Sequence, residues 1–66
     1  MDVIINGETR SVPDAISVAT LLEHLGIEHG RVAIERNRDI LPRPRWSATA
    51  VEPGDAYEIV QLVGGG

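Results

Sequence analysis

The chain has 66 residues, 42% of them hydrophobic, with one Trp, one Tyr, no cysteine and a formal net charge of −4 at pH 7. A chain this short buries only about 60% of the surface its unfolded form exposes, so it makes one small domain with a single core. Without cysteine it has no disulfide framework, thiolate metal site or cysteine nucleophile, and an acidic balance with pI ≈ 4.9 argues against non-specific binding to nucleic acid.

Met1 to Ile5 is apolar and β-branched, and Asn6-Gly7 follows it. That pair is the strongest two-residue hairpin signal, because both turn positions need positive φ. Glu8 to Val12 is the returning strand, polar as a sheet edge should be, and Pro13 ends it because it has no amide hydrogen to donate. Ser17 then precedes Val18, Leu21, Leu22 and Leu25, which draw one apolar stripe at helical spacing. The expected element is a helix of eight or nine residues with Ser17 as N-cap. Gly26 follows as the C′ glycine, with Ile27 folding back against Leu22. A helix this short is not stable alone in water and must lay its leucine face on a sheet.

Arg31 to Arg36 alternates as a half-buried strand does, and Asn37 ends it. Asp39 to Leu41 is a short extended piece stopped by Pro42 and Pro44. Trp46 to Val51 is expected as a turn or short helix over the edge of the core. Glu52-Pro53-Gly54-Asp55 meets the demands of a type II turn, with Pro at its second position and Gly at its third. Ala56 to Leu62 is the last strand.

One helix and four to five strands in this order make an α+β fold with a mixed sheet covered on one face. The first strand lies parallel to the last, which places the two most apolar segments at the sheet centre. That is the β-grasp arrangement of ubiquitin. The expected core is Val3, Ile5, Leu21, Leu22, Leu25, Val32, Ile34, Leu41, Trp46, Tyr57 and Ile59. The domain spans 1–62.

Residues 63–66 read Val-Gly-Gly-Gly and are expected to form a flexible tail. Four extended residues reach about 14 Å at roughly 3.5 Å per residue. Such an end is either an inert frayed terminus or cloning remnant, or a device: without side chains, Gly64 and Gly65 could thread a channel too narrow for any Cβ and place Gly66 inside another protein's active site. A terminal carboxylate, with a pKa of about 3.5, is ionised at neutral pH and inert toward nucleophiles. An enzyme supplying ATP and Mg²⁺ makes it reactive by converting it to an acyl adenylate, and sulfur delivered as a persulfide then leaves a thiocarboxylate.

Over essentially its whole length the chain resembles the ThiS family of ubiquitin-like sulfur carriers in thiamine biosynthesis. The resemblance rests on Val3-Ile4-Ile5-Asn6-Gly7, Ala33-Ile34-Glu35-Arg36-Asn37, Ile40-Leu41-Pro42-Arg43 with Trp46, Gly54-Asp55 and the terminal Gly65-Gly66. It implies that Gly66 is adenylated by a ThiF-type, E1-like adenylyltransferase and thiocarboxylated by a sulfur donor fed by a cysteine desulfurase or equivalent. Thiazole synthase, ThiG, then accepts the sulfur. The chain is a co-substrate with no active site and no bound cofactor, ATP-Mg being used by the activating partner. A sibling alternative is a MoaD-like small subunit of molybdopterin synthase; another is a β-grasp interaction module that is never activated.

All six basic residues are arginine. Codon bias suffices to explain that, although a lysine-free carrier also offers an activated C-terminus no side-chain amine to attack. No apolar run is long enough to span a membrane and no secretion signal opens the chain, so a cytoplasmic location is expected. His24 and His29, five apart with Gly26 between them, do not share a helix face and are not read as metal ligands. Arg36, Arg38, Arg43 and Arg45 form a local basic cluster, either a solvated loop edge or a contact for an acidic partner. On the last strand, Tyr57 and Ile59 face the helix while Val60 and Leu62 face outward, joined by Ile4 from the neighbouring strand. Such an apolar patch is expected to be the partner surface.

Overall fold

The computed structural model describes residues 1–27 and 30–62. β1 (Asp2–Ile5) and β2 (Glu8–Ser11) form an antiparallel hairpin with Ile5 opposite Glu8. Asn6 and Gly7 close it at φ 50° and 83°, the pair of positive values that matches the right-handed twist of the flanking strands. Val12 extends the pairing one step, its N–H donating to the Met1 carbonyl at 2.8 Å.

α1 (Val18–His24) is seven residues long. The Ser17 hydroxyl accepts from the Thr20 N–H at 3.1 Å, satisfying one of the amides that a helix start leaves unpaired. At the other end Gly26 takes φ 75°. Its N–H reaches the Glu23 carbonyl at 3.0 Å, and that of Ile27 reaches Leu22 at 2.9 Å, the two bonds of a Schellman cap.

β3 (Val32–Arg36) and β4 (Asp39–Ile40) follow, then a 3₁₀ turn over Arg43–Arg45 and β5 (Ala56–Gln61). The sheet order is β2-β1-β5-β3-β4, with β1 and β5 parallel and every other pair antiparallel. β5 therefore lies at the centre, as expected. The Pro53-Gly54 turn that leads into it has Gly54 at φ 83° and an Asp55 N–H to Glu52 carbonyl bond of 3.1 Å.

The core lies between the sheet and α1 and contains Val3, Ile5, Val12, Val18, Leu21, Leu22, Ile34, Trp46, Val51, Tyr57 and Ile59. Three expected members, Leu25, Val32 and Leu41, are only partly buried at its margin. Leu25 is the helix C-cap, Val32 opens β3 opposite Gln61, and Leu41 follows the last residue of β4. Their places are taken by Val12, Val18 and Val51. Val51 is drawn in because its segment runs beside the helix start: its N–H donates to Ile16 at 2.9 Å, and the Thr49 carbonyl accepts from Val18 at 2.9 Å. Trp46 is pinned there by its indole N–H, which donates to the Leu41 carbonyl at 2.8 Å.

Asn37 does more than end a strand. With Arg38 it forms a second tight hairpin turn, at φ 50° and 73°, joining Arg36 to Asp39. The Asn-Arg pair fills the same left-handed positions as Asn6-Gly7, but an L side chain there is unfavourable by roughly 1–2 kcal/mol. Arg38 is exposed, so its side chain can be removed at little other expense. Arg38→Gly is therefore expected to raise stability by about 1 kcal/mol, the relief being partly offset by the freer unfolded chain. A higher urea midpoint at unchanged m-value is the measurement.

Candidate functional site

Two ends and two faces of β5 define what the domain can present. At the start of the strand Asp55 is almost fully buried. Its Oδ2 accepts from Arg36 Nε at 2.9 Å, the Tyr57 hydroxyl at 2.8 Å and the Glu52 N–H at 2.9 Å, and its Oδ1 accepts from Asn37 Nδ2 at 3.1 Å. Asn37 adds its own clamp on the strand, with Oδ1 accepting from the Ala56 N–H at 2.9 Å. The Asp55 carbonyl accepts from Ile4 at 2.9 Å, so β1 is registered from the same residue.

Burial alone raises a carboxyl pKa. Here the hydrogen bonds from Glu52, Asn37, Tyr57 and Arg36 outweigh it and hold Asp55 below the ordinary carboxylate range. Burial and the Asp55 carboxylate push the Tyr57 phenol up to about 12, so it stays protonated as a donor. The Arg36 pKa is raised, chiefly by the Tyr57 side chain and further by Asp55, against the lowering effect of burial.

At the far end of the strand, Asn6 uses its side chain as a stand-in for backbone. Its Nδ2 donates to the Ile59 carbonyl at 3.1 Å and its Oδ1 accepts from the Ile59 N–H at 2.7 Å. On the other flank Gln61 pairs with Val32, and the Leu62 N–H donates to Arg31 at 2.7 Å. β5 is thus held from both sides as far as Ile59 and from the β3 side up to residue 62. Residues 63–66, with the expected tail residues Gly64 and Gly65 and the expected modified residue Gly66, lie outside the described residues.

The two faces divide as the alternation requires. Tyr57 and Ile59 are buried toward α1, whereas Val60, Leu62 and Ile4 are 53%, 54% and 39% exposed on the open face. Ile40, at 78%, belongs with them and was missed. Recognising Asn37-Arg38 as a hairpin turn would have revealed it, because that register sets Ile40 opposite the outward Glu35.

The four arginines differ in what they contact. Arg36 is committed to Asp55, and Arg43 lies over the Trp46 ring at 5.2 Å and donates to the Gly30 carbonyl. Arg38 and Arg45 are exposed. His24 is exposed in the last helical turn, where a cation is favoured by the helix dipole, and His29 lies outside the described residues. Among the described residues no three His, Cys, Asp or Glu side chains come together as a metal site, and no helix is long and apolar enough to cross a membrane.

A mixed sheet with parallel first and last strands at its middle and one helix across one face defines the β-grasp class. The ThiS family model matches residues 3–66. Thiazole synthase of Paramagnetospirillum magneticum is 42% identical over 66 residues, covering 100% of this chain but only 20% of that protein. The sulfur carrier protein ThiS of Escherichia coli (strain K12) is 29% identical over 66 residues, covering 100% of both chains. Among solved structures, the crystal structure of ThiS from Geobacter metallireducens superposes with a TM-score of 0.85 at 33% identity, covering 100% of both chains. The chain belongs to the ThiS family of sulfur carriers in thiamine biosynthesis.

The depressed Asp55 carboxyl carries a pH signature. Stability from a group whose pKa is lowered on folding is fully present above its unfolded value, near 3.9, and is lost as pH falls through the folded value. Asp55→Asn places an amide against the Asn37 amide and strips Arg36 of its charge partner, which is expected to cost about 2–3 kcal/mol. Urea midpoints at pH 7 and pH 3 check both parts: the variant is weaker at pH 7, and the gap between the two pH values narrows.

Proposed function

We propose that this chain is a protein co-substrate that delivers sulfur to thiazole synthase through a thiocarboxylate on Gly66. Membership of the ThiS family over a span that takes in Gly65-Gly66 is the observation that carries this reading. In it, a ThiF-type, E1-like adenylyltransferase uses ATP-Mg to join the Gly66 carboxylate to AMP, with pyrophosphate leaving. A donor fed by a cysteine desulfurase or equivalent then attacks with its persulfide sulfur as AMP departs, and a second thiol of the donor system cleaves the resulting acyl disulfide, releasing the thiocarboxylate and leaving the two donor sulfurs joined as a disulfide. Sulfur leaves the carrier at ThiG as the C–S bond at Gly66 breaks and an oxygen from the acceptor or water takes its place, and the regenerated carboxylate re-enters the cycle. These ATP-dependent steps belong to the cytoplasm.

What the chain itself contributes is delivery. The bonds that hold β5 up to Leu62 give the 63–66 segment a fixed root, and Gly64 and Gly65 present no Cβ to a narrow channel. Ile4, Val60 and Leu62 offer apolar area on the face away from the core, where docking leaves the packing undisturbed. The thiazole synthase of P. magneticum, whose own sequence includes a counterpart of all 66 residues, supports that enzyme as one of the proteins so docked.

Incubation with the activating enzyme, ATP and a sulfur donor, followed by intact mass, tests the chemistry. The expected result is a gain equal to replacing one oxygen by sulfur, abolished when Gly66 is deleted; an unchanged mass with the cognate enzyme refutes the carrier reading. Val60→Asp tests the surface. Because Val60 is exposed, the change should alter stability by only about 0.5 kcal/mol. Affinity for both enzymes should fall roughly tenfold or more, and unaltered binding by calorimetry would remove Val60 from the docking surface.

A further inference from the structure

The open face carries a placement that the fold does not need. Glu35 of β3 and Glu58 of β5 lie directly opposite one another in the antiparallel register, both exposed. Like charges at opposed positions, with Cβ atoms about 5 Å apart, destabilise a sheet. The ion pairs among the described residues join Met1 to Asp14 and Arg36 to Asp55, so neither glutamate is neutralised there. Beside Glu35 the register sets Ile40, and the neighbouring outward pair along the strands is Ala33 opposite Val60. These five side chains border an open hollow of about 150 Å³.

We propose that this hollow takes one arginine or lysine of the thiazole synthase, with its aliphatic stem on Ala33, Ile40 and Val60 and its cationic head between Glu35 and Glu58. The proposal rests on the reading of that enzyme as a partner. An apolar hollow beside two carboxylates matches a long basic side chain, which lays its methylenes on apolar surface and keeps its charge at the tip. A metal ion would gain nothing from the three apolar neighbours. The cation also turns a repulsive pair into an attractive one on complex formation, so the glutamates weaken the free domain slightly and strengthen the bound one. The synthase is chosen over the activating enzyme because a thiazole synthase holds the counterpart of this chain within its own sequence.

The test compares the full chain with the Glu35→Gln/Glu58→Gln double variant in calorimetric binding to the thiazole synthase of the same organism, at low and high salt. Val60→Asp serves as a control, and thermal melting is recorded for each. The double variant is expected to melt at or above the parent's temperature, since the like-charge contact is gone. It should bind roughly tenfold or more weakly at low salt and lose part of the parent's salt sensitivity. Equal affinity of double variant and parent, with Val60→Asp impaired, overturns the role of the carboxylates and leaves the docking face standing. A lower melting temperature of the double variant assigns the pair to the fold and also overturns the proposal. If the parent itself does not bind, the partner reading fails and this inference fails with it.

Discussion

Asp55 is the point from which the sheet is registered. A buried carboxylate is tolerated only when its charge and lone pairs are met, and Asp55 receives donors from the turn before it, from β3, from the β3–β4 turn and from β5 itself. Its carbonyl adds β1. One side chain thus joins segments that a sheet of this size would otherwise align through short ladders alone. In a small domain with eleven buried apolar side chains among the described residues, such a cluster is a large share of what specifies one arrangement.

The segments that carried the family resemblance meet in this framework. Arg36-Asn37 and Gly54-Asp55, far apart along the chain, are donor and acceptor of the same cluster. Leu41 and Trp46 are joined by the indole bond, and Arg43 covers that ring. Asn6 extends the pairing of β1 with β5 through its side chain. Most of the signature thus describes how the central strand is held, while Gly65-Gly66 follows that strand in sequence and bears only on the proposed function. In the proposed function the division suits a carrier: larger enzymes would perform the chemistry, and the small domain would supply a rigid grip and a fixed root for the end they act on.

Where local backbone chemistry decides the structure, the sequence was legible. Asn6-Gly7, Ser17, Gly26 and Pro53-Gly54 each act within a few residues, and each turn or cap is in place. The two-residue period of β5 correctly divided Tyr57 and Ile59 from Val60 and Leu62. What escaped depends on contacts distant in sequence. An aspartate after Pro-Gly reads as a solvated turn residue until Arg36, Asn37 and Tyr57 are brought to it. Val51 sits in a stretch without strand or helix period, and it is buried because that stretch crosses the start of α1. Arg36, Arg38, Arg43 and Arg45 read alike as a local basic cluster, yet Arg36 pairs with Asp55 and Arg43 lies over Trp46. Ile40 was hidden behind a turn whose second residue is Arg instead of Gly.

One face of the sheet builds the fold, and in the proposed function the other meets the enzymes. Titration of the ¹⁵N-labelled chain with thiazole synthase, followed by amide NMR, addresses this division directly. Shifts and broadening should concentrate at Ile4, Glu35, Ile40, Val60 and Leu62, with Val18, Leu21 and Leu22 on the helix little affected. Perturbation centred on the helix, with the amides of the open face unmoved, would contradict it.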